Sequence, residues 1–296
     1  MKKNLRKIKI AAILLISIFY NCEKEKLSNK SVDFTEEFLF TKGIEGPAVD
    51  SKGNLYAVNF TEEGTIGKVD KNGKASLFIK LPGNSIGNGI RFDKNDNMFI
   101  ADYVNHNILQ VKKGEKNVRF FASNSTMNQP NDLAISPNGN LYASDPNWAN
   151  NTGKLWLIRD HKIFLLEKDM GTTNGIEVSP NGKKLYVNES VQRNIWSYDI
   201  NTDGTLTNKK LFKKFLNFGM DGMRCDTKGN LYVCRYGKGA VVMLSPEGKT
   251  LREIELKGKK PTNITFGGRD KKQCFVTISD RGNFETFFPE FPGRNF

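Results

Sequence analysis

The chain has 296 residues, of which 38% are hydrophobic and 26% charged, enough for one large folded domain and too apolar for a disordered one. Its formal charge of +13 falls to about +8 once Lys2, Lys3, Arg6, Lys7 and Lys9 are set aside, a lysine-rich surface that calls for no nucleic-acid partner. Four cysteines without close CxxC spacing exclude a zinc-cysteine site and make a disulfide framework an unnatural reading; Cys225, Cys234 and Cys274 read as small apolar strand residues.

Residues 1–21 combine a basic start with the apolar run Ile10 to Tyr20, too short to span a bilayer comfortably and placed where a secretory signal belongs. Cys22 and the polar stretch Glu23 to Ser31 follow. Together they resemble a bacterial lipoprotein signal, which implies lipid on Cys22, a flexible tether over 22–32 and an exported protein held at a membrane facing the periplasm or cell surface. Phe19, Tyr20 and Asn21 stand where such signals carry small residues. A plain secretion signal, giving a soluble periplasmic or secreted protein, and an uncleaved anchor are therefore the other readings.

From about Asp33 onward a phrase recurs: turn residues followed by a short β-rich run. It reads DSKGNLYAV from Asp50, DKNDNMFIA from Asp93, SPNGNLYAS from Ser136, SPNGKKLYV from Ser179 and DTKGNLYVC from Asp226, with a degenerate copy, GGRDKKQCFVT, from Gly267. The first four copies are 43 residues apart, the period of one four-stranded propeller blade. Each copy is a hairpin whose turn tolerates positive φ. Ile108 to Val111 with Val118 to Phe121, and Trp196 to Ile200 with Leu211 to Phe215, supply further strands. The fold class expected is all-β, a six-bladed β-propeller over 33–296 with a central channel. A strand around Phe38 to Thr41 is expected to complete the last blade, and the tail from Phe284 to Phe296 to pack over an edge or rim without a chemical role.

Eight residues before the turn glycine, or its equivalent, stand Glu45, Asn88, Asn131, Asn174, Asp221 and Asn263. All six carry a side-chain oxygen, and one phase in every blade brings them to the mouth of one channel. Such a ring suits a hard cation; calcium takes six to eight oxygen ligands and accepts amides beside carboxylates. Zinc prefers nitrogen or sulfur, and the chain has only His106 and His161. Any single asparagine before glycine also reads as a turn or strand cap.

The segments IEGPAVD (44–50), QPNDLAISPNGNLYASDP (129–146), TNGIEVSPNGKKLYVNES (173–190), MDGMRCDTKGNLYV (220–233) and KPTNITFGG (260–268) resemble those of the gluconolactonase, or senescence-marker-protein, family over most of the chain. The resemblance implies a divalent metal, calcium first with zinc or manganese as alternatives in use, held by Glu45, Asn131, Asn174 and Asp221. It also implies a hydrolase that opens a sugar-acid lactone or similar small ester, with Asp221 as the group that moves the proton. Asn88, Asn131, Asn263 and Asp145 are then candidates to face the substrate; Asn88 and Asn263 can instead stand behind the ligands, and Asp145 can instead order its loop. ADYVNHN at 101–107 and NWANNTG from Asn147 depart from the family pattern, which puts the particular lactone in doubt.

Two other classes fit the same phrases: a non-catalytic secreted propeller of the NHL type that binds a partner, and a phosphotriesterase-like hydrolase. Gly83 to Gly87 matches GxSxG, but it lies between strands without the elbow that a serine nucleophile needs. DKNDN from Asp93 resembles an EF-hand start yet lacks the sixth-position glycine, and His106 reads as a loop residue before it reads as a base.

Overall fold

A computed structural model describes residues 27–294. The export signal at 1–21 and the lipidation candidate Cys22 lie outside the described residues. Six antiparallel four-stranded sheets make up the fold, consecutive along the chain except at the join. Blade 1 holds Ala48–Val49, Leu55–Val58, Thr65–Val69 and Ala75–Lys80. Blades 2 to 5 follow over 87–123, 133–170, 173–214 and 223–255. Blade 6 takes Pro261–Gly267, Gln273–Ile278 and Asn283–Phe287 and is completed by Val32–Asp33 from the other end of the chain.

The recurring phrase forms the turn between the first two strands of each blade. Asp50 Oδ1 accepts the N–H groups of Lys52 and Asn54, both at 2.9 Å, while Oδ2 takes the Asn54 amide at 2.7 Å. Gly53 completes the turn at φ +81°, where a side chain is strained. Asp93 and Asp226 repeat the arrangement, Asp226 with Lys228 and Asn230 at 2.8 and 3.0 Å. DKNDN is therefore a hairpin turn, as its place in the repeat predicts.

Apolar burial, which drives assembly, falls between blades rather than within them. Each of six clusters draws its residues from two neighbours: Tyr56, Val58 and Ile66 of blade 1 pack with Ile90, Ile100 and Leu109 of blade 2, and so on around the ring to Phe275 and Phe284 of blade 6 against Leu55 and Ala57 of blade 1. A blade lacking a neighbour would thus leave an apolar face in water.

Closure differs from expectation in detail. Val32 and Asp33 pair with Thr286 and Glu285, six residues before the strand foreseen at Phe38 to Thr41. That later segment is not an extended strand, because Phe38 sits at φ +60°; it crosses from blade 6 to blade 1, with Phe38 N–H and Phe40 N–H donating to the Arg281 and Gly282 carbonyls at 2.9 and 3.0 Å and Phe40 bridging Phe60. Nor is all of 22–32 free tether. Asn29 accepts Arg252 Nε at 2.7 Å and the Glu255 N–H at 2.8 Å, and Ser31 donates to the buried Glu285 carboxylate. The tail corrects a second expectation: Asn283–Phe287 is a strand of blade 6, and only the residues after it cross a channel mouth. There Thr227 N–H reaches the Pro292 carbonyl, Gly293 N–H the Lys271 carbonyl, and the Arg294 side chain meets buried Glu177.

Candidate active site at the channel mouth

The six in-phase residues stand at or just before the first strand of each blade, and glycine draws neighbouring blades together behind them. A Cβ on Gly46 would lie 2.1 Å from the Asn88 carbonyl oxygen, on Gly175 2.2 Å from the Asp221 carbonyl oxygen, and on Gly222 1.9 Å from the Asn263 amide. Only hydrogen fits at these contacts, so the Glu-Gly, Asn-Gly and Asp-Gly pairs are packing requirements as well as turn signals.

Glu45, Asn131 and Asn174 are buried, and each presents one oxygen with no hydrogen-bond partner: Glu45 Oε1, Asn131 Oδ1 and Asn174 Oδ1. Buried oxygens are almost always satisfied, so three orphans among equivalent positions mark a cradle for a group that brings positive charge. Asp221, the fourth expected ligand, is partly exposed and lies beside the Asn174 side chain. Burial, with the neighbouring Glu45 and Asp132 charges, holds the Asp221 carboxyl well above the usual carboxylate range. Burial followed by Asp132 pushes Glu45 up to about 7. Two neighbouring carboxylates, both raised by burial and by the Asp132 charge, are what a divalent cation would relieve. Among the described residues no three His, Cys, Asp or Glu side chains gather as a metal site; half of this donor set is amide, a composition that suits calcium and not zinc.

The remaining candidates divide. Asn88 is half-buried and donates to the Asn131 carbonyl at 3.1 Å, so it positions a ligand from the channel side. Asn263 does not face substrate: it is fully buried, its amide donating to Glu45 Oε2 at 3.0 Å and its oxygen accepting Ile264 N–H. Asp145 also faces inward. Its carboxylate accepts Asn128 N–H at 2.8 Å, Gln129 N–H at 2.6 Å and Trp156 Nε1 at 2.8 Å, which orders the loop before Asn131 and leaves nothing for a substrate. Ser85 of the GxSxG match donates directly to Asp102 at 2.7 Å, without a histidine between them, and is buried. His106 turns a hairpin at φ +60°.

Sequence reasoning missed a layer below the ring. Asn188 donates to the Asp221 carbonyl at 2.6 Å, with its own Oδ1 unpartnered. Deeper in the channel Asp132 meets Arg91 at 3.1 Å and Arg224 at 3.5 Å, and Glu177 meets Arg294. Arg91, Glu177 and Arg224 each follow a ring residue by three positions, a signal present in the repeat alignment but hidden by unlike residue types, Ala48 and Ala134 being their equivalents.

Known proteins resemble this chain along most of its length. Residues 44–280 match the model of the SMP-30/Gluconolactonase/LRE-like region. The gluconolactonase of Zymomonas mobilis is 25% identical over 271 residues, covering 79% of this chain and 76% of the relative. The diisopropyl-fluorophosphatase of Loligo vulgaris is 28% identical over 281 residues, covering 81% and 89%. Among solved structures, a calcium-binding regucalcin from Agrobacterium tumefaciens superposes with TM-score 0.76 at 20% identity, covering 91% of this chain and 96% of that one, a likeness of fold. With the matching region running from just before Glu45 to beyond the last blade's second strand, the chain belongs to the SMP-30/gluconolactonase/LRE-like family.

Proposed function

We propose that this protein is a lactone-opening hydrolase whose channel ring binds calcium through Glu45, Asn131, Asn174 and Asp221. The observation that carries the reading is the set of three orphaned, buried oxygens on Glu45, Asn131 and Asn174 beside the Asp221 carboxylate. Family membership and the gluconolactonase relative favour a carboxylic ester as substrate over a protein partner, so the NHL-type binding module is not the preferred reading. When bound, the cation would act as a Lewis acid toward a lactone carbonyl.

The chain's own contributions follow from the contacts. Asn263 and Gly46 N–H donate to Glu45 and fix its orientation, Asn88 fixes the Asn131 backbone, and Asn188 fixes the Asp221 backbone. Asp221, open to the channel, takes the proton from the attacking water at a carboxylate oxygen, and the bound cation would keep that carboxylate ionised where burial and the neighbouring Glu45 and Asp132 charges otherwise favour its protonation. The partly exposed channel face of Asn88 offers an amide to substrate hydroxyls, which favours a sugar-acid lactone over an apolar ester.

Hydrolysis of aldono-lactones, aryl esters and phosphotriesters should be followed with calcium, with chelator, and with Asp221→Asn. Calcium-dependent lactone opening, reduced at least a hundredfold in the variant, supports the reading. Turnover confined to phosphotriesters would transfer the protein to the activity named for its Loligo relative. A folded, calcium-loaded protein inert toward all three would overturn the hydrolase.

A further inference from the structure

The ring residues stand at or just before the first strand of each blade, at the end of the barrel where second and third strands are joined. Among the described residues, five large apolar side chains are exposed in the loops at that end: Phe38, Trp148, Val191, Leu216 and Phe218. Phe38 is on the crossing from blade 6 to blade 1. The other four sit on three neighbouring loops of blades 3 to 5 that are tied together. Gln192 Nε2 donates to the Asn151 carbonyl at 3.1 Å, joining the Trp148 and Val191 loops. Gly219 packs against Ser190, where a Cβ would come within 3.3 Å of its hydroxyl, and so joins the Val191 loop to the segment carrying Leu216 and Phe218. Isolated apolar residues on a surface are ordinary, but four on connected loops form a patch, and such patches mark binding surfaces.

The segment is clamped in place. Arg235, only 2% exposed, donates from Nη2 to the Asn217 carbonyl and from Nε to the Gly219 carbonyl at 3.4 Å, and its guanidinium stacks 3.6 Å from the Phe215 ring centroid. The residues on either side of Phe218 are thereby fixed, and Phe218 itself is kept at φ +50°, a strained conformation for an aromatic residue. Leu216 is left 90% exposed. The clamped segment runs directly into Asp221, three residues beyond Phe218. Blade 2, which carries Asn88, stands across the ring from blade 5. A substrate lying over the mouth with its hydroxyls at Asn88 turns its other side toward Leu216 and Phe218.

We propose that Leu216 and Phe218, with Val191 and Trp148 beyond them, form a shelf for an apolar arm of the substrate, so that the lactone opened at the ring carries an alkyl or acyl chain. The proposal rests on the lactonase reading and narrows its substrate class.

Hydrolysis of γ-butyrolactones carrying methyl, butyl and octyl chains, with D-glucono-lactone as the polar comparison, tests it on the calcium-loaded chain. kcat/KM is expected to rise about twofold per methylene, the effect of covering one side of the chain. In the double variant Leu216→Ser, Phe218→Asn the octyl-to-methyl ratio should fall at least tenfold; asparagine tolerates positive φ, so the backbone is kept. Its thermal midpoint should be unchanged or raised, whereas a purely structural role for the pair would lower it. Leu251→Ser, at an exposed position on the outer strand of blade 5, is the control and should leave the ratio within about twofold of the parent. A ratio near one in the parent, or equal in parent and double variant, overturns the shelf and leaves the hydrolase standing. If no lactone is opened, the hydrolase falls instead, and binding of the octyl lactone, followed by tryptophan fluorescence, decides the shelf. Saturable binding weakened at least tenfold in the double variant keeps it; binding that is absent or unweakened overturns it.

Discussion

Asn263 illustrates how far a single amide reaches. It has no contact with solvent, yet it holds Glu45 Oε2 so that the other oxygen is turned out without a partner. Outer partners of metal ligands typically contribute ten- to a hundredfold in affinity. Asn263→Ala is therefore expected to raise the calcium dissociation constant about tenfold, measured by calorimetry, with a smaller effect on kcat at saturating calcium than Asp221→Asn produces. Ser85→Ala should leave lactone turnover within about twofold of the parent, because the hydroxyl is buried against Asp102 and away from the ring; a loss of more than tenfold would reinstate the serine as a chemical group. The residue scale is also where sequence reading was least complete. The six oxygen donors were legible because they keep phase with a turn that announces itself in every blade. For Asn263 and Asp145 two readings each were legible but not the choice between them, since the donors and acceptors that engage them, Glu45 for the first and Asn128, Gln129 and Trp156 for the second, come together only in the folded chain.

Among the elements, the glycine behind each of several ring residues sets how near adjacent blades can come. Gly222→Ala would drive a methyl group into Asn263, 1.9 Å from its amide carbon, and push that amide off Glu45. The expected result is a folded propeller by circular dichroism whose calcium affinity falls at least tenfold, matching Asn263→Ala; unchanged affinity would mean that blades 5 and 6 relax apart without disturbing the ring. Hairpins were readable from sequence because Asp50, Asp93 and Asp226 make their turn contacts within four residues. The buried layer of Arg91, Asp132, Glu177 and Arg224 was not, because it is charge where a barrel interior is expected to be apolar, and because the register shifts after Gly87 and Thr173 break the strict alternation by which inward positions are counted.

For the molecule as a whole, integrity depends on the join in blade 6. Arg281 links Asp33 to the fully buried Glu285, at 2.8 Å from the latter, and also meets Glu37. Removing one partner of a buried ion pair costs about 3 kcal/mol, so Arg281→Ala should lower the thermal midpoint by several degrees while leaving calcium affinity of the folded protein unchanged. Hydrogen bonding to Arg281 holds the Asp33 carboxyl down at about 2 against an ordinary value near 4. Its stabilising contribution is therefore complete above about pH 4 and lost as the pH falls toward 2; Asp33→Asn should flatten that part of the stability curve measured by denaturant titration. Calcium should act at this scale too, raising stability by about 2.7 kcal/mol at a hundred times its dissociation constant, an effect checked by melting with and without chelator.

The same join sets an order of events. Ser31 and Glu285, which meet across it, are separated by 254 positions in sequence, so the strand Val32–Asp33, made before every other described strand, is among the last of them to find its place. Blades 1 to 5 assemble from neighbouring hairpins, whereas the sixth joins Val32–Asp33 to strands made after all five of them. Closing so long a loop is slow compared with forming local hairpins, and until it happens blade 1 keeps an apolar face unmatched. A chaperone that shields one open flank during this interval would serve this protein better than one that merely delays collapse.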